Sequence, residues 1–248
     1  MGDPVDHSRS PAIHNAGFAA VDLDATYEAV RVQAGELSSI ISDLRSGHFS
    51  GINVTMPHKD DAYEAVDEHD VLAVRSRSVN TVIASQGRLH GYNTDVEGVR
   101  YAIELLELPD DLPVVVLGYG GAARAAVVAM AERTVIVCGR NERRAAGLAD
   151  SMGELVTVVP WGTGINASIV INATPLGMRG ESLPEPTLAD AAGILDMAYS
   201  TTPTPAILWA TTMSIPHADG IDMLTGQAFS AFELFTGLPA PRDVMALA

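Results

Sequence analysis

Only one side chain in this sequence can exchange a proton as an amine. Of the 15 basic residues, 14 are arginine, and Lys59 is the sole lysine. Arginine keeps its proton in proteins, whereas a partly buried lysine can be brought to a working pKa, so this amine is a candidate for proton chemistry. By count alone, one lysine is also what an arginine-biased composition leaves by chance. Its neighbourhood is more pointed: Gly51-Ile-Asn53-Val-Thr55-Met-Pro57-His-Lys59 reads as an apolar strand and a proline-fixed turn that aim the amine above a sheet edge. Asp95, in Gly91-Tyr-Asn93-Thr-Asp95, comes at a similar strand-to-helix junction. A lysine–carboxylate pair at the carboxyl ends of neighbouring strands can hold an alcohol and exchange its proton. From spacing alone Asp95 reads equally as the N-cap of the helix that follows.

A second group of residues suits a dinucleotide. The apolar run Val114–Leu117 leads into Gly118-Tyr-Gly-Gly-Ala-Ala-Arg124. In such a strand, turn and helix, backbone N–H groups and the helix N-terminus can approach a pyrophosphate with no Cβ in the way. The next strand, Thr134–Cys138, runs into Gly139-Arg140-Asn141-Glu142-Arg143-Arg144. A carboxylate at that strand end would accept from a ribose 2′-hydroxyl; three guanidiniums suit a 2′-phosphate, which favours NADP. Arg143 fits a solvated helix face as well. A third cluster, His7-Ser8-Arg9-Ser10-Pro11, places two hydroxyls at alternate positions before a helix start, where they could hold a ligand carboxylate, although Ser10 alone reads as an N-cap. His7, His14, His58 and His217 lack metal-ligand spacing, and no metal site is expected.

The elements that must position these groups alternate between short apolar runs and helical periods, which predicts an α/β protein. The first half predicts a helix near 11–21, a strand at Thr26–Val32, a helix over 35–46 and a strand at Gly51–Thr55. Short helices fill 59–76, and Asn80–Ala84 with Arg88–Gly91 form a hairpin around Gln86-Gly87. A helix over 95–106 precedes the second unit. There, strands at Val114–Leu117, Thr134–Cys138, Leu155–Val159, Ser168–Asn172 and Ile194–Met197 alternate with helices, including one to about 132 and one over Asn141–Met152. That alternation predicts a parallel, Rossmann-type sheet. The tail from 222 returns to helix. Two α/β domains are expected, with the active site between them: a substrate-binding domain of 1–95 plus 221–248 and a cofactor domain of 96–220.

Composition narrows the partners. The 248 residues carry a net charge of −16 and are 47% hydrophobic. That acidity argues against a nucleic-acid partner and against an anionic membrane surface. A single cysteine, Cys138, excludes an intrachain disulfide framework. With no apolar run of spanning length and no signal-peptide pattern at the N-terminus, a cytoplasmic protein is expected, monomeric or homodimeric.

Taken in order, the motifs resemble the shikimate dehydrogenase family over almost the whole chain. They are Gly2-Asp3-Pro4-Val5 with His7–Pro11 and His14-Asn15; Asn53–Lys59; Asn80-Thr81; Asn93-Thr94-Asp95 with Gly98; Gly118–Ala122; Arg140; Asn172–Met178; Asp196 with Tyr199; and Gly220 with Met223-Leu224 and Gln227. The resemblance implies reversible reduction of 3-dehydroshikimate to shikimate by NADPH, within aromatic amino-acid biosynthesis. It makes Lys59 the acid/base residue beside Asp95, and Ser8 and Ser10 the carboxylate ligands. Thr55, Asn80, Asp95 and Gln227 then hold substrate hydroxyls, with Asn53 and Tyr199 close by. It assigns Gly118, Tyr119, Gly120, Gly121, Ala122, Gly139, Arg140, Arg144, Met197 and Gly220 to the cofactor.

Some positions depart from the family. A short apolar strand usually precedes Gly2-Asp3-Pro4, and without it neighbouring ladder groups are expected to lack a partner. Arg77-Ser78 replaces Gly-Ala before Val-Asn-Thr, Gly139 stands where asparagine is common, and Thr201 where proline is usual. Two alternatives stay open. An NAD-linked quinate/shikimate dehydrogenase would carry threonine at position 10 and an acidic residue at the second strand's end. A shikimate-sensing paralogue without catalysis could dispense with the Lys59–Asp95 pair.

Overall fold

The computed structural model describes every residue except His7, Glu154 and Leu155. His7 of the serine cluster and the expected strand start at Leu155 therefore lie outside the described residues. The chain forms two compact units, Met1–Glu97 with Leu224–Ala248, and Gly98–Met223.

The first unit opens with α1 (Ser10–Ala20) and α2 (Leu37–Arg45), followed by β1 (Gly51–Asn53), α3 (Lys59–Ala65), β2 (Glu68–His69) and α4 (Val71–Ser76). The hairpin of β3 (Thr81–Ser85) and β4 (Arg88–Tyr92) turns at Gln86 and Gly87, whose φ values of 51° and 77° give the left-handed pair that a tight two-residue hairpin needs. The sheet order is β1-β3-β4-β2, with β2 parallel to β4 and the other pairs antiparallel. Leu37, Ile41 and Leu44, at helical spacing on α2, pack on Ile52, Val82 and Leu89.

The expected strand at Thr26–Val32 is corrected to a single parallel bridge between Gly2 and Arg31. Its physical cause is visible in the hydrogen bonds. Gly2 N–H donates to Val30 O and Val32 N–H to Gly2 O, but Asp3 N–H turns to Met56 O and Pro4 has no N–H, so the pairing goes no further; farther back, the Asn15 side chain takes both backbone groups of Tyr27. Strand β1 likewise ends at Asn53, although Val54 N–H still donates to Asn80 O; Thr55 N–H, on the opposite edge, donates to Met1 O.

The second unit is entered within α5 (Asp95–Glu104). It runs through β5 (Val114–Leu117), α6 (Gly121–Ala129), β6 (Val135–Cys138), α7 (Glu142–Met152), β7 (Val156–Val159) and β8 (Ser168–Asn172). It continues with α8 (Glu185–Ala189), β9 (Ala191–Asp196), α9 (Pro205–Met213) and β10 (His217–Ala218). The chain returns to the first unit along α10 (Gly220–Thr236) and ends in α11 (Arg242–Ala246). All six strands are parallel, in the order β10-β9-β8-β5-β6-β7. Every residue of β5, β6 and β8 is buried, as a sheet covered on both faces requires. Strand order reverses at β5, so its carboxyl end beside β8 is the switch point where open α/β sheets bind ligands.

Candidate active site

In the first unit, α3 begins at Lys59, directly after the turn that carries the cis Met56–Pro57 peptide, and α5 begins at Asp95 after β4. These two helix starts bring Lys59 Nζ onto Asp95 Oδ2, in a half-buried ion pair. Asp95 is therefore not serving as an N-cap through its carboxylate; Asn93 Oδ1 accepts the Asp95 N–H instead, at 3.2 Å. The other carboxylate oxygen, Oδ1, accepts from Asn80 Nδ2 at 2.8 Å. Gln227, arriving on α10, is buried beside them, and its Oε1 takes Thr94 Oγ1–H at 3.2 Å. Asn53 joins through Thr81, its Nδ2 donating to Thr81 Oγ1 at 2.8 Å. Lys59, Asp95, Asn53, Asn80 and Gln227 are thus one connected cluster, while Thr55 stands exposed in the loop before Lys59.

The serine cluster also sits in this unit. Ser10 is the first residue of α1 rather than its cap, and Arg9 in the capping position makes no capping bond, its guanidinium donating instead to Ala248 O at 2.6 Å. Ser10 N–H donates to Ser8 Oγ at 3.3 Å, which leaves the Ser8 hydroxyl proton free for a ligand. The sequence reading missed Tyr27, whose phenol donates to Asn53 Oδ1 at 2.8 Å while its ring stacks on buried His14 at 4.4 Å. Burial raises the Tyr27 phenol far above its ordinary range, and a hydrogen bond with Ser10 opposes that rise. The apolar-patterned strand expected around Tyr27 hid this role; the neighbouring His14-Asn15 pair, which holds it, was the available signal.

The second unit carries the dinucleotide features. Gly118 has φ 124°, and a Cβ there would lie 2.9 Å from Ala173 O, so the turn closes on the β8 end only with glycine. Gly120, N-cap of α6, contributes no capping side chain, and a Cβ on it would meet open space. The first N–H groups of α6 are thereby left for an anion. Arg140 and Arg144 are both exposed beyond β6, and the Arg144 guanidinium lies 5.2 Å from the centre of the Tyr119 ring. Gly139 is explained by the same ring: a Cβ on it would approach Tyr119 Cδ1 to 2.8 Å. Gly220 packs on Met197 and Tyr199, where a Cβ would fall 2.6 Å from Met197 O and 2.9 Å from Tyr199 Cδ1. Burial raises the Tyr199 phenol. The residues therefore fit a phosphorylated dinucleotide: a glycine cradle, a free helix start and two guanidiniums. No group of three or more His, Cys, Asp or Glu among the described residues could hold a metal ion.

A parallel sheet shaped for a 2′-phosphorylated dinucleotide, on the same chain as a half-buried amine–carboxylate pair, defines a two-domain NADP-dependent oxidoreductase. Known proteins narrow that class. Residues 1–82 match the family model of the shikimate dehydrogenase substrate binding domain, and residues 220–246 that of the shikimate 5′-dehydrogenase C-terminal domain. Shikimate dehydrogenase (NADP(+)) of Desulforamulus reducens is 35% identical, with 99% of this chain and 91% of that protein covered. Its counterpart in Desulfitobacterium hafniense is 36% identical, covering 99% and 94%. The structure of the Thermus thermophilus shikimate 5-dehydrogenase in complex with NADP(H) and shikimate has TM-score 0.91 and 33% identity, covering 99% of this chain and 95% of that one. The chain belongs to the shikimate dehydrogenase family.

Proposed function

We propose that this protein catalyses the reversible, NADPH-dependent reduction of 3-dehydroshikimate to shikimate in aromatic amino-acid biosynthesis. The observation that carries this reading is the placement of the chain's sole lysine on Asp95, within a cluster of amide side chains able to hold hydroxyl groups. When bound, NADPH supplies the hydride; Gly118–Ala122, Gly139, Arg140, Arg144, Met197 and Gly220 are the residues that hold it.

The other steps belong to side chains of this protein. The Lys59 ammonium stabilises negative charge on the substrate oxygen and gives it the proton that completes the alcohol; in the reverse direction the amine takes that proton back. Asp95 Oδ2 keeps Nζ in place for both directions. Ser8 and Ser10 hold the carboxylate, and Thr55, Asn80, Asp95 and Gln227 the ring hydroxyls, with Asn53 and Tyr199 adjoining. Orientation by these contacts replaces a bimolecular encounter with a positioned one. We place the protein in the cytoplasm on its cysteine-poor composition, and take it to act as a monomer or homodimer. No helix among the described residues is long and apolar enough to cross a membrane.

The test is a four-way assay of initial rates with shikimate or quinate, each with NADP or NAD. Shikimate with NADP is expected to be fastest. Lack of turnover with shikimate and either nucleotide overturns the reading, and faster NAD turnover of quinate replaces it with the NAD-linked alternative.

A further inference from the structure

The hydrogen bonds behind Asp95 form a line whose direction is fixed at both amides by backbone groups. Asn80 Oδ1 accepts from the Thr94 backbone N–H at 2.8 Å, and a backbone donor can face only the oxygen of that amide. Asn80 Nδ2 is therefore the atom facing Asp95 Oδ1 at 2.8 Å. Asn53 is fixed in the same way by a backbone acceptor, since its Nδ2 donates to Asn80 O at 3.3 Å as well as to Thr81 Oγ1 at 2.8 Å. Asn53 Oδ1 can then only accept, so the Tyr27 phenol must be the donor across 2.8 Å. Thr81 Oγ1 lies 2.9 Å from Asn80 Oδ1, which also can only accept, and 3.1 Å from Thr94 Oγ1, so the Thr81 proton goes to the nearer acceptor, Asn80.

Read from one end, Tyr27 donates to Asn53, Asn53 to Thr81, Thr81 to Asn80, and Asn80 to Asp95, whose other oxygen receives Lys59. Head-to-tail donors polarise one another, and all of them point toward the carboxylate. Thr81 is fully buried, with Asn80 and Asp95 nearly so, so this alignment is little screened by solvent. The origin of the line is itself held firmly: Asn15 binds Tyr27 N–H and C=O at 2.8 and 3.0 Å, and the His14 ring lies parallel to the phenol at 3°.

We propose that Tyr27 is a positioning residue for the Lys59–Asp95 pair, acting through Asn53, Thr81 and Asn80 to hold Asp95 Oδ2 toward the lysine. The proposal rests on the assignment of that pair as the proton-transfer machinery. It also changes what Asn80 contributes: one of its amide hydrogens is committed to Asp95, and the other faces Thr94 Oγ1 at 3.0 Å, with Gln227 Oε1 at 3.4 Å. Asn80 thus fixes the carboxylate before any ligand arrives.

The single lysine makes the test direct. In protein labelled with 15N-lysine, the only Nζ–H signal belongs to Lys59, and it persists against solvent exchange when the ammonium is held on a carboxylate. Tyr27→Phe keeps the ring on His14 and removes only the hydroxyl; Thr81→Val interrupts the line at its middle, while Thr81→Ser preserves it. The proposal expects a persistent signal in wild type and Thr81→Ser, and a broadened or lost one in Tyr27→Phe and Thr81→Val. It also expects kcat to fall about tenfold in those two variants, with the affinity for NADPH, measured by its fluorescence, unchanged. Folded Tyr27→Phe and Thr81→Val proteins with wild-type signal and kcat overturn it. Should Tyr27→Phe fail to fold, the contrast between Thr81→Val and Thr81→Ser decides alone. The Nζ signal needs no turnover, so wild-type protein inactive toward shikimate would sink the functional reading while leaving the hydrogen-bonded line to stand or fall by its spectrum.

Discussion

The proposed mechanism concentrates its chemistry on one amine, and what distinguishes that amine is exchangeability rather than charge. Arginine at position 59 would keep a cation near Asp95, and its guanidinium would pair with the carboxylate readily. It could not give up a proton to the substrate oxygen, however, and its planar fork would not reproduce the compact ammonium. Lys59→Arg is expected to bind shikimate within a few-fold of wild type while kcat falls about 10²–10⁴-fold, the usual worth of a positioned acid or base. Shikimate binding by calorimetry together with steady-state rates checks both halves; near-normal kcat removes Lys59 from the chemistry. The lysine was legible in the sequence because it is solitary, and Asp95 because it stands at a strand-to-helix junction. Tyr27, Thr81 and Thr94 were not legible as site residues, since tyrosine and threonine in strand-like segments are what packing alone selects. Their role depends on which backbone group each neighbouring amide faces, and that is a property of the folded chain.

At the scale of elements, the parallel sheet was legible because strands covered on both faces are continuous apolar runs. Val114–Leu117 and Ser168–Asn172 form at their expected bounds, and Val135–Cys138 within one residue. The two-residue strands Glu68–His69 and His217–Ala218 were not anticipated, being too short to carry a period. The segment Thr26–Val32 shows the opposite failure, a strand-like pattern that makes a single bridge and whose Tyr27 backbone groups are taken by a side chain. The turn after β5 ties these elements to function. Gly118→Ala puts a methyl group 2.9 Å from Ala173 O at a φ of 124°, so either the turn opens or β5 and β8 lose register at their carboxyl ends. The expected cost is about 1–3 kcal/mol of stability, with NADPH affinity reduced alongside. Thermal melting and NADPH fluorescence titration measure the two; an unchanged melting temperature with wild-type affinity would mean that the turn tolerates a side chain.

For the molecule as a whole, a charge of −16 makes acidification a contest between opposing effects. Lowering the pH removes negative self-repulsion and favours the compact state. Asp196 and Asp222, whose carboxyls are raised by burial, work in the same direction, because the folded chain takes up their protons first. His14 works against them. It is fully buried against Tyr27, Phe18 and Phe235, neither ring nitrogen finds a protein partner, and burial lowers its pKa from 6.5 to about 4. The unfolded chain therefore binds the His14 proton before the folded one does. Stability is unaffected by this group above about pH 6.5 and is lost progressively as pH falls from there to about 4, by roughly 3 kcal/mol at most. His14→Phe keeps the aromatic stack on Tyr27 and deletes the titration. The difference in unfolding free energy between variant and wild type, measured by urea denaturation, should be constant from pH 8 to 7 and shift in the variant's favour between pH 6.5 and 4. The overall profile of either protein includes the carboxylates and the net charge, but those contributions are common to both and cancel in the difference. A difference that stays flat down to pH 4 would mean that the buried imidazole accepts its proton in the folded chain, with Tyr27 and its neighbours shifting to accommodate the charge.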